Sequence, residues 1–142
     1  MQPMGYTINA CVVLVLIMAL SHPVVAEEPY VLSVQQLNAA LERTSDPFHK
    51  GFILVDVRTP EEHAHGYIPG TDLNIDYREL KDRTAELGAR KDDHIVLYCQ
   101  SGHRSSIAAD ILTDLGYTLV YNVAGSMNAW EGAGYPIAVP RR

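Results

Sequence analysis

Ile95-Val96-Leu97-Tyr98-Cys99-Gln100-Ser101-Gly102-His103-Arg104-Ser105-Ser106 is the stretch on which the reading of this chain turns. Its first four residues are β-branched, aliphatic and aromatic, the composition of a buried strand. Cys99 ends the run, a short polar loop follows, and a helical pattern starts near Ser105. The stretch therefore predicts a strand, a turn and a helix N-terminus, with a thiol at the crossing point. First-turn amides of a helix have no intrahelical partners and carry the positive end of its dipole, so an anion placed there is stabilised. A thiolate is such an anion.

The flanking sequence repeats this alternation. Upstream, Tyr30-Val31-Leu32 reads as a short strand and Ser33 to about Arg43 as a helix, opened by a capping box of Ser33 and Gln36. Thr44 to Gly51, with Pro47, is a loop, and Phe52 to Val57 is a nearly continuous apolar run suited to a strand covered on both faces. Thr59 and Glu62 form a second capping box with Pro60 at the first helical position, which predicts a helix from Pro60 to about His65 that stops at Gly66. Tyr67 to Gly70 is a turn and Leu73 to Ile75 a brief strand. Tyr77 to Leu87 is expected to be helical, with Gly88 as its stop. Downstream of the central strand at His94–Tyr98, Ile107, Ala108, Ile111, Leu112 and Leu115 keep helical spacing and Gly116 ends the helix. Leu119 to Val123 is another strand, and Ser126 to Glu131 a last short helix with Trp130 in the core. Five strands alternating with helices imply an α/β domain, a mainly parallel sheet with helices on both faces. Sites in such sheets form beyond the C-terminal ends of the strands, where Cys99 lies.

A chain of 142 residues, 47% hydrophobic and 20% charged, is expected to build one self-sufficient core. Its net charge of -6 lacks the basic balance of a polyanion binder, so no nucleic-acid partner is expected. The N-terminus differs from the rest. Ala10 to Leu20 is an apolar block of 11 residues, short of the roughly 20 a spanning helix needs, and Val24-Val25-Ala26 offers a small-residue cleavage site. Residues 1–26 are thus read as an export signal cleaved after Ala26, and 27–142 as the domain, with a core over about 30–137. The first ten residues hold no Lys or Arg, which leaves an uncleaved anchor as the alternative; membrane association would then run through this segment alone. The mature protein would be periplasmic or secreted. Cleavage would remove Cys11, read as an apolar residue of the signal, and leave Cys99 as the only cysteine. A lone cysteine in an oxidising compartment is either buried and inert or a free reactive thiol.

Two readings of Cys99 compete. Free cysteine is among the most buried residue types, and Cys99 could simply close a strand. Its neighbours point elsewhere. Gly102 permits a positive φ, so the amides of Gln100 to Ser105 can turn inward as an anion-binding nest. Nest amides, the helix dipole and Arg104 would all lower the thiol pKa and make Cys99 a nucleophile at neutral pH.

The Cys-x-x-Gly-x-Arg-Ser loop at Cys99 to Ser105 resembles the active-site loop of the rhodanese sulfurtransferases. Asp56-Val57-Arg58 with Glu62, Gly66, Ile68, Pro69, Gly70 and Asn74 is similar to that family's N-terminal signature. Gly116-Tyr117 through Val123, Gly125, Met127, Ala129 and Trp130 is similar to its C-terminal one, so the likeness spans about Tyr30 to Ile137. The chain departs from the pattern at Tyr67, where His is common, at Thr71-Asp72, one residue longer before Asn74, and at Ser126, where a second Gly is usual. The resemblance implies a single rhodanese-like domain that moves a sulfane sulfur from thiosulfate or a related donor to cyanide or a thiol, through a Cys99 persulfide. It implies no metal and no organic cofactor. Gln100, Ser101, Gly102, His103, Arg104 and Ser105 would form the anion cradle. His103 and Arg104 would stand at the mouth to attract the donor, or Arg104 would only brace the loop through a carboxylate.

Asp56 and Arg58 resemble the family's strand-end pair, with a structural role favoured. His63 and His65, two residues apart, do not share a helix face, which argues against a metal pair. His94 and His49 show no partner in the sequence. Two rival functions remain in view. One is a phosphatase or arsenate reductase of related architecture, whose loops are one residue longer between Cys and Arg than the four residues Gln100 to His103 found here. The other is a non-catalytic carrier that holds a persulfide for one partner protein.

Overall fold

The computed structural model describes residues 29–43 and 50–141. The expected export signal and most of the Thr44–Gly51 loop, His49 included, lie outside the described residues. In chain order the elements are β1 (Tyr30–Leu32), α1 (Val34–Glu42), β2 (Ile53–Asp56), α2 (Pro60–His65), β3 (Leu73–Asn74), a 3-10 turn (Thr84–Leu87), β4 (Ile95–Tyr98), α3 (His103–Asp114), β5 (Val120–Val123) and α4 (Ser126–Gly132). The five strands form one sheet in the order β1-β5-β4-β2-β3, and every pair is parallel.

Both sequence-predicted capping boxes are present. The Ser33 hydroxyl accepts from the Gln36 amide and the Gln36 side chain accepts from the Ser33 amide, and Thr59 and Glu62 do the same at the start of α2. These reciprocal bonds satisfy orphan amides and fix each helix start to the residue. Gly66 closes α2, and a Cβ there would sit 2.7 Å from Ile137 Cγ2.

The central strand shows why its sequence lacks alternation. Ile95, Leu97 and Cys99 point to one face, where they pack with Val55, Leu80, Leu112 and Val120 under α3. Val96 and Tyr98 point to the other, into a cluster with Leu37, Leu54, Met127 and Trp130 under α1 and α4. Both faces are covered, so both sets of side chains are apolar.

Two expectations are corrected. Tyr77 to Leu87 is not a helix but a run of turns ending in the 3-10 turn, closed by Gly88 in the left-handed region at φ 58°. Asp76 Oδ1 accepts from the Arg78 amide at 3.0 Å, so the side chain competes with the helix at its first turn. Only Leu80 and Leu87 are buried in this stretch, too few to hold a helix face against the core. Further on, α3 starts at His103, two residues before the expected point, with Gly102 as its cap. Its buried face is Ser105, Ala108, Ala109 and Leu112, while Ile107 and Leu115 are exposed.

Candidate active site

Cys99 directly follows β4 and Gly102 caps α3, so strand and helix meet across a four-residue turn, Cys99 to Gly102. Gly102 has φ 102° and ψ -12°, a conformation that favours glycine, and it offers no side-chain cap to the helix. The first-turn amides are thereby left for another acceptor, and the Cys99 sulfur takes that place. Gly102 N–H donates to Cys99 Sγ at 3.1 Å, and the Ser105 hydroxyl lies 3.4 Å from the same sulfur. Burial pushes the Cys99 thiol up; the Ser105 hydroxyl and the amides of Ser105, Gly102 and Ser101 outweigh that and hold it below the ordinary cysteine value.

The loop is fixed from α4. Ser126 Oγ accepts from Cys99 N at 3.0 Å and donates to Val123 O at 2.9 Å, while the Met127 and Asn128 amides donate to the carbonyls of Cys99 and Gln100 at 3.1 and 2.9 Å. Ser126 is fully buried and has φ 45°, the only non-glycine residue with a positive φ among those described. The departure from a second glycine therefore supplies a hydroxyl that anchors the sulfur-bearing residue.

Asp56 and Arg58 stand behind the loop. The buried Asp56 carboxylate accepts from Arg58 N, Nε and Nη2 at 3.0, 3.0 and 2.7 Å, and it also meets His63 Nδ1 at 2.9 Å. Arg58 then reaches Gly66 O at 2.7 Å and Gln100 Oε1 at 3.3 Å, and Gln100 Nε2 donates to Asn128 Oδ1 at 2.7 Å. These bonds tie the end of β2 to the Gly66 turn and to Gln100 of the loop. Burial pulls the Arg58 guanidinium down, but the Asp56 carboxylate more than offsets it and holds it above its ordinary value.

Arg104 also braces. Its two Nη atoms donate to Glu62 Oε2 and Oε1 at 2.8 and 2.7 Å, a bidentate bridge between α3 and α2. The Arg104 guanidinium holds the Glu62 carboxyl down to about 2. With its charge already matched, Arg104 is not a free cation at the mouth; His103 and Ser101 are exposed at the rim. His63 and His65 turn to different partners, Asp56 and the Glu61 carbonyl at 2.6 Å. His94 Nδ1 lies 3.0 Å from the Tyr121 hydroxyl, at the other end of the sheet. A groove of about 720 Å³, lined by Lys50, Phe52, Asp72, Arg90 and His94, is also at that N-terminal end of the strands, away from Cys99.

Sequence reasoning missed three contributors. Glu62 reads in the sequence as a cap and as a member of the N-terminal signature, yet its carboxylate serves both the Thr59 amide and Arg104. Ser126 reads as the start of the last helix and as a departure from the family pattern, with no sign of its bond to Cys99 N. Asn122, whose Oδ1 lies 2.7 Å from Ser105 Oγ, gave one signal: a polar amide in the middle of a strand, where Asn is disfavoured.

The rhodanese-like domain model matches residues 33–133, and the chain belongs to that family. It is 41% identical over 88 residues to a sulfurtransferase of Allochromatium vinosum, covering 62% of this chain and 79% of the relative. It is 38% identical over 71 residues to the thiosulfate sulfurtransferase PspE of Escherichia coli, covering 50% and 67%. A rhodanese-like domain protein from Staphylococcus aureus superposes with a TM-score of 0.63 at 29% identity, covering 79% of this chain and 99% of that structure. Family and relatives together support sulfur transfer as the chemistry of this fold.

Proposed function

We propose that this protein is a thiosulfate sulfurtransferase that works through a persulfide on Cys99, and that it acts in the periplasm or outside the cell after cleavage behind Ala26. The observation that carries the reading is the Cys99 sulfur held at the α3 N-terminus, 3.1 Å from the Gly102 amide, with a pKa below the ordinary thiol value. The thiolate attacks the outer sulfur of thiosulfate. A bond forms between Sγ and that sulfur, the S–S bond of the donor breaks, and sulfite leaves with the electron pair. The persulfide anion then gives its terminal sulfur to cyanide or a thiolate, and the Cys99 thiolate is restored. Both the thiolate and the persulfide are anions, so one preorganised set of amides stabilises each in turn. The gap of four residues from Cys99 to Arg104 makes a cradle for one sulfur atom rather than for a whole phosphate.

The test is thiocyanate formation from thiosulfate and cyanide, with Cys99→Ser as the control and an aryl phosphate as the competing substrate. The wild type is expected to make thiocyanate and to gain one sulfur by intact mass after thiosulfate alone. Cys99→Ser should do neither while keeping its circular dichroism. Hydrolysis of the phosphate with no thiocyanate would overturn the reading. A sulfur adduct without turnover would leave Cys99 as the carrier of a persulfide and not as a general transferase.

A further inference from the structure

The Ser105 hydroxyl has one hydrogen and four acceptors within reach: Asn122 Oδ1 at 2.7 Å, Gly102 O at 3.2 Å, and Cys99 Sγ and Ser126 Oγ at 3.4 Å each. Ser126 Oγ lies near the same sulfur-bearing residue, but its hydrogen is committed to Val123 O and it accepts from Cys99 N. Ser105 is therefore the hydroxyl that can turn. The orientation of Asn122 is fixed by its other end. Its Nδ2 faces Gly102 O at 3.4 Å, a carbonyl that can only accept, so Oδ1 must be the atom aimed at Ser105.

The two acceptors compete according to the charge on sulfur. A neutral thiol is a weak acceptor and leaves the Ser105 hydrogen with Asn122 at the shorter distance. A thiolate or persulfide is the stronger acceptor, and the hydroxyl turns to it and releases Asn122. We propose that Asn122 is the positioning residue of this site: it holds the Ser105 hydroxyl while the sulfur is neutral and yields it when the sulfur becomes an anion. The proposal rests on Cys99 as the sulfur-carrying nucleophile. The charged group coupled to Cys99 is Arg104 on α3, itself coupled to Glu62 on α2 and to Asp76. What β5 and α4 bring to the sulfur is neutral, Asn122 and Ser126.

Two substitutions at this one position should move the thiol in opposite directions. Asn122→Ala removes the competing acceptor, and the Cys99 titration should fall by about half a unit, a roughly threefold faster alkylation by iodoacetamide below its midpoint. Asn122→Asp keeps the shape but places an anionic acceptor on the Ser105 hydrogen, and the titration should rise by about one unit, a roughly tenfold slower alkylation. Both are read on the full chain by the mass of the Cys99 peptide across pH. In a Ser105→Ala background the Asn122→Ala shift should vanish, because the shared hydroxyl is gone. Shifts of the same sign from Ala and Asp, or an Asn122→Ala shift that survives in Ser105→Ala, would overturn the proposal. Alkylation reads the thiol and not sulfur transfer, so a failure here is distinct from a negative thiocyanate assay.

Discussion

At the scale of single residues, the two unusual backbone positions of the site make separable predictions. Gly102 has φ 102°, and a Cβ there would stand 3.3 Å from Gly125 N and 3.6 Å from Val123 O. Gly102→Val adds a β-branched side chain to a conformation it resists, on the order of 1–3 kcal/mol of strain. The loop would relax and carry its amides away from the sulfur, so we expect about a hundredfold loss of thiocyanate formation. Full activity in that variant would remove the nest from the account. Ser126 tests the converse case. Ser126→Ala leaves the buried Cys99 N–H without its acceptor and keeps the positive φ, and should cost about 1–3 kcal/mol. Ser126→Gly loses the same acceptor but relieves the backbone, so it should be the more stable of the two by about 1 kcal/mol in urea unfolding. The ranking wild type, Gly, Ala is the expected result; Ala above Gly would mean that the φ of 45° stores no strain.

Between elements, the bridge from Arg104 on α3 to Glu62 on α2 joins the sulfur loop to the strand-end pair. The folded protein holds the Glu62 carboxyl at about 2, below its ordinary 4.5. The bridge therefore stabilises the fold fully above the ordinary carboxyl range, and this contribution is lost as the pH falls through that range toward about 2. Glu62→Gln isolates the charge, because glutamine still completes a capping box. It should cost up to about 1 kcal/mol at pH 7, the range of partly exposed ion pairs. The gap to wild type in urea midpoint should close as the pH approaches 2; a gap that does not narrow would mean the loss is in packing. The same variant frees the Arg104 charge beside the cradle, so the KM for thiosulfate should fall. What the sequence could disclose follows from range. Capping boxes at Ser33 and Thr59 and the stop at Gly66 are local, and they were legible to the residue. The Cys99 loop was legible because its chemistry is packed into seven consecutive positions. Ser126 and Asn122 act on it from elements that only the sheet order brings near, and Tyr77 to Leu87 misled because helix propensity was not matched by a buried face.

For the whole molecule, the question is whether the two cores fold as one. Cys99 belongs to the cluster under α3, and Trp130 to the one under α1 and α4, on the other side of the sheet. β4 divides its side chains between them while its backbone pairs with β2 and β5, so loss of packing on one face removes the support of the other. Leu97→Ala opens a cavity in the Cys99 cluster alone and should cost about 2–5 kcal/mol. Leu54→Ala does the same in the Trp130 cluster. The chain carries a single tryptophan, so Trp130 fluorescence reports one face, and alkylation of Cys99, read on its own peptide, reports the other. If the sheet makes one cooperative unit, either substitution moves both probes to the same lower urea midpoint. The sulfur cradle then has no stability apart from the domain, because its walls come from β4, α3 and α4 together. Separate midpoints would instead make the loop face an independently melting layer. In that case Cys99 alkylation would drop to the rate of an unperturbed thiol in urea while Trp130 still reported a folded core.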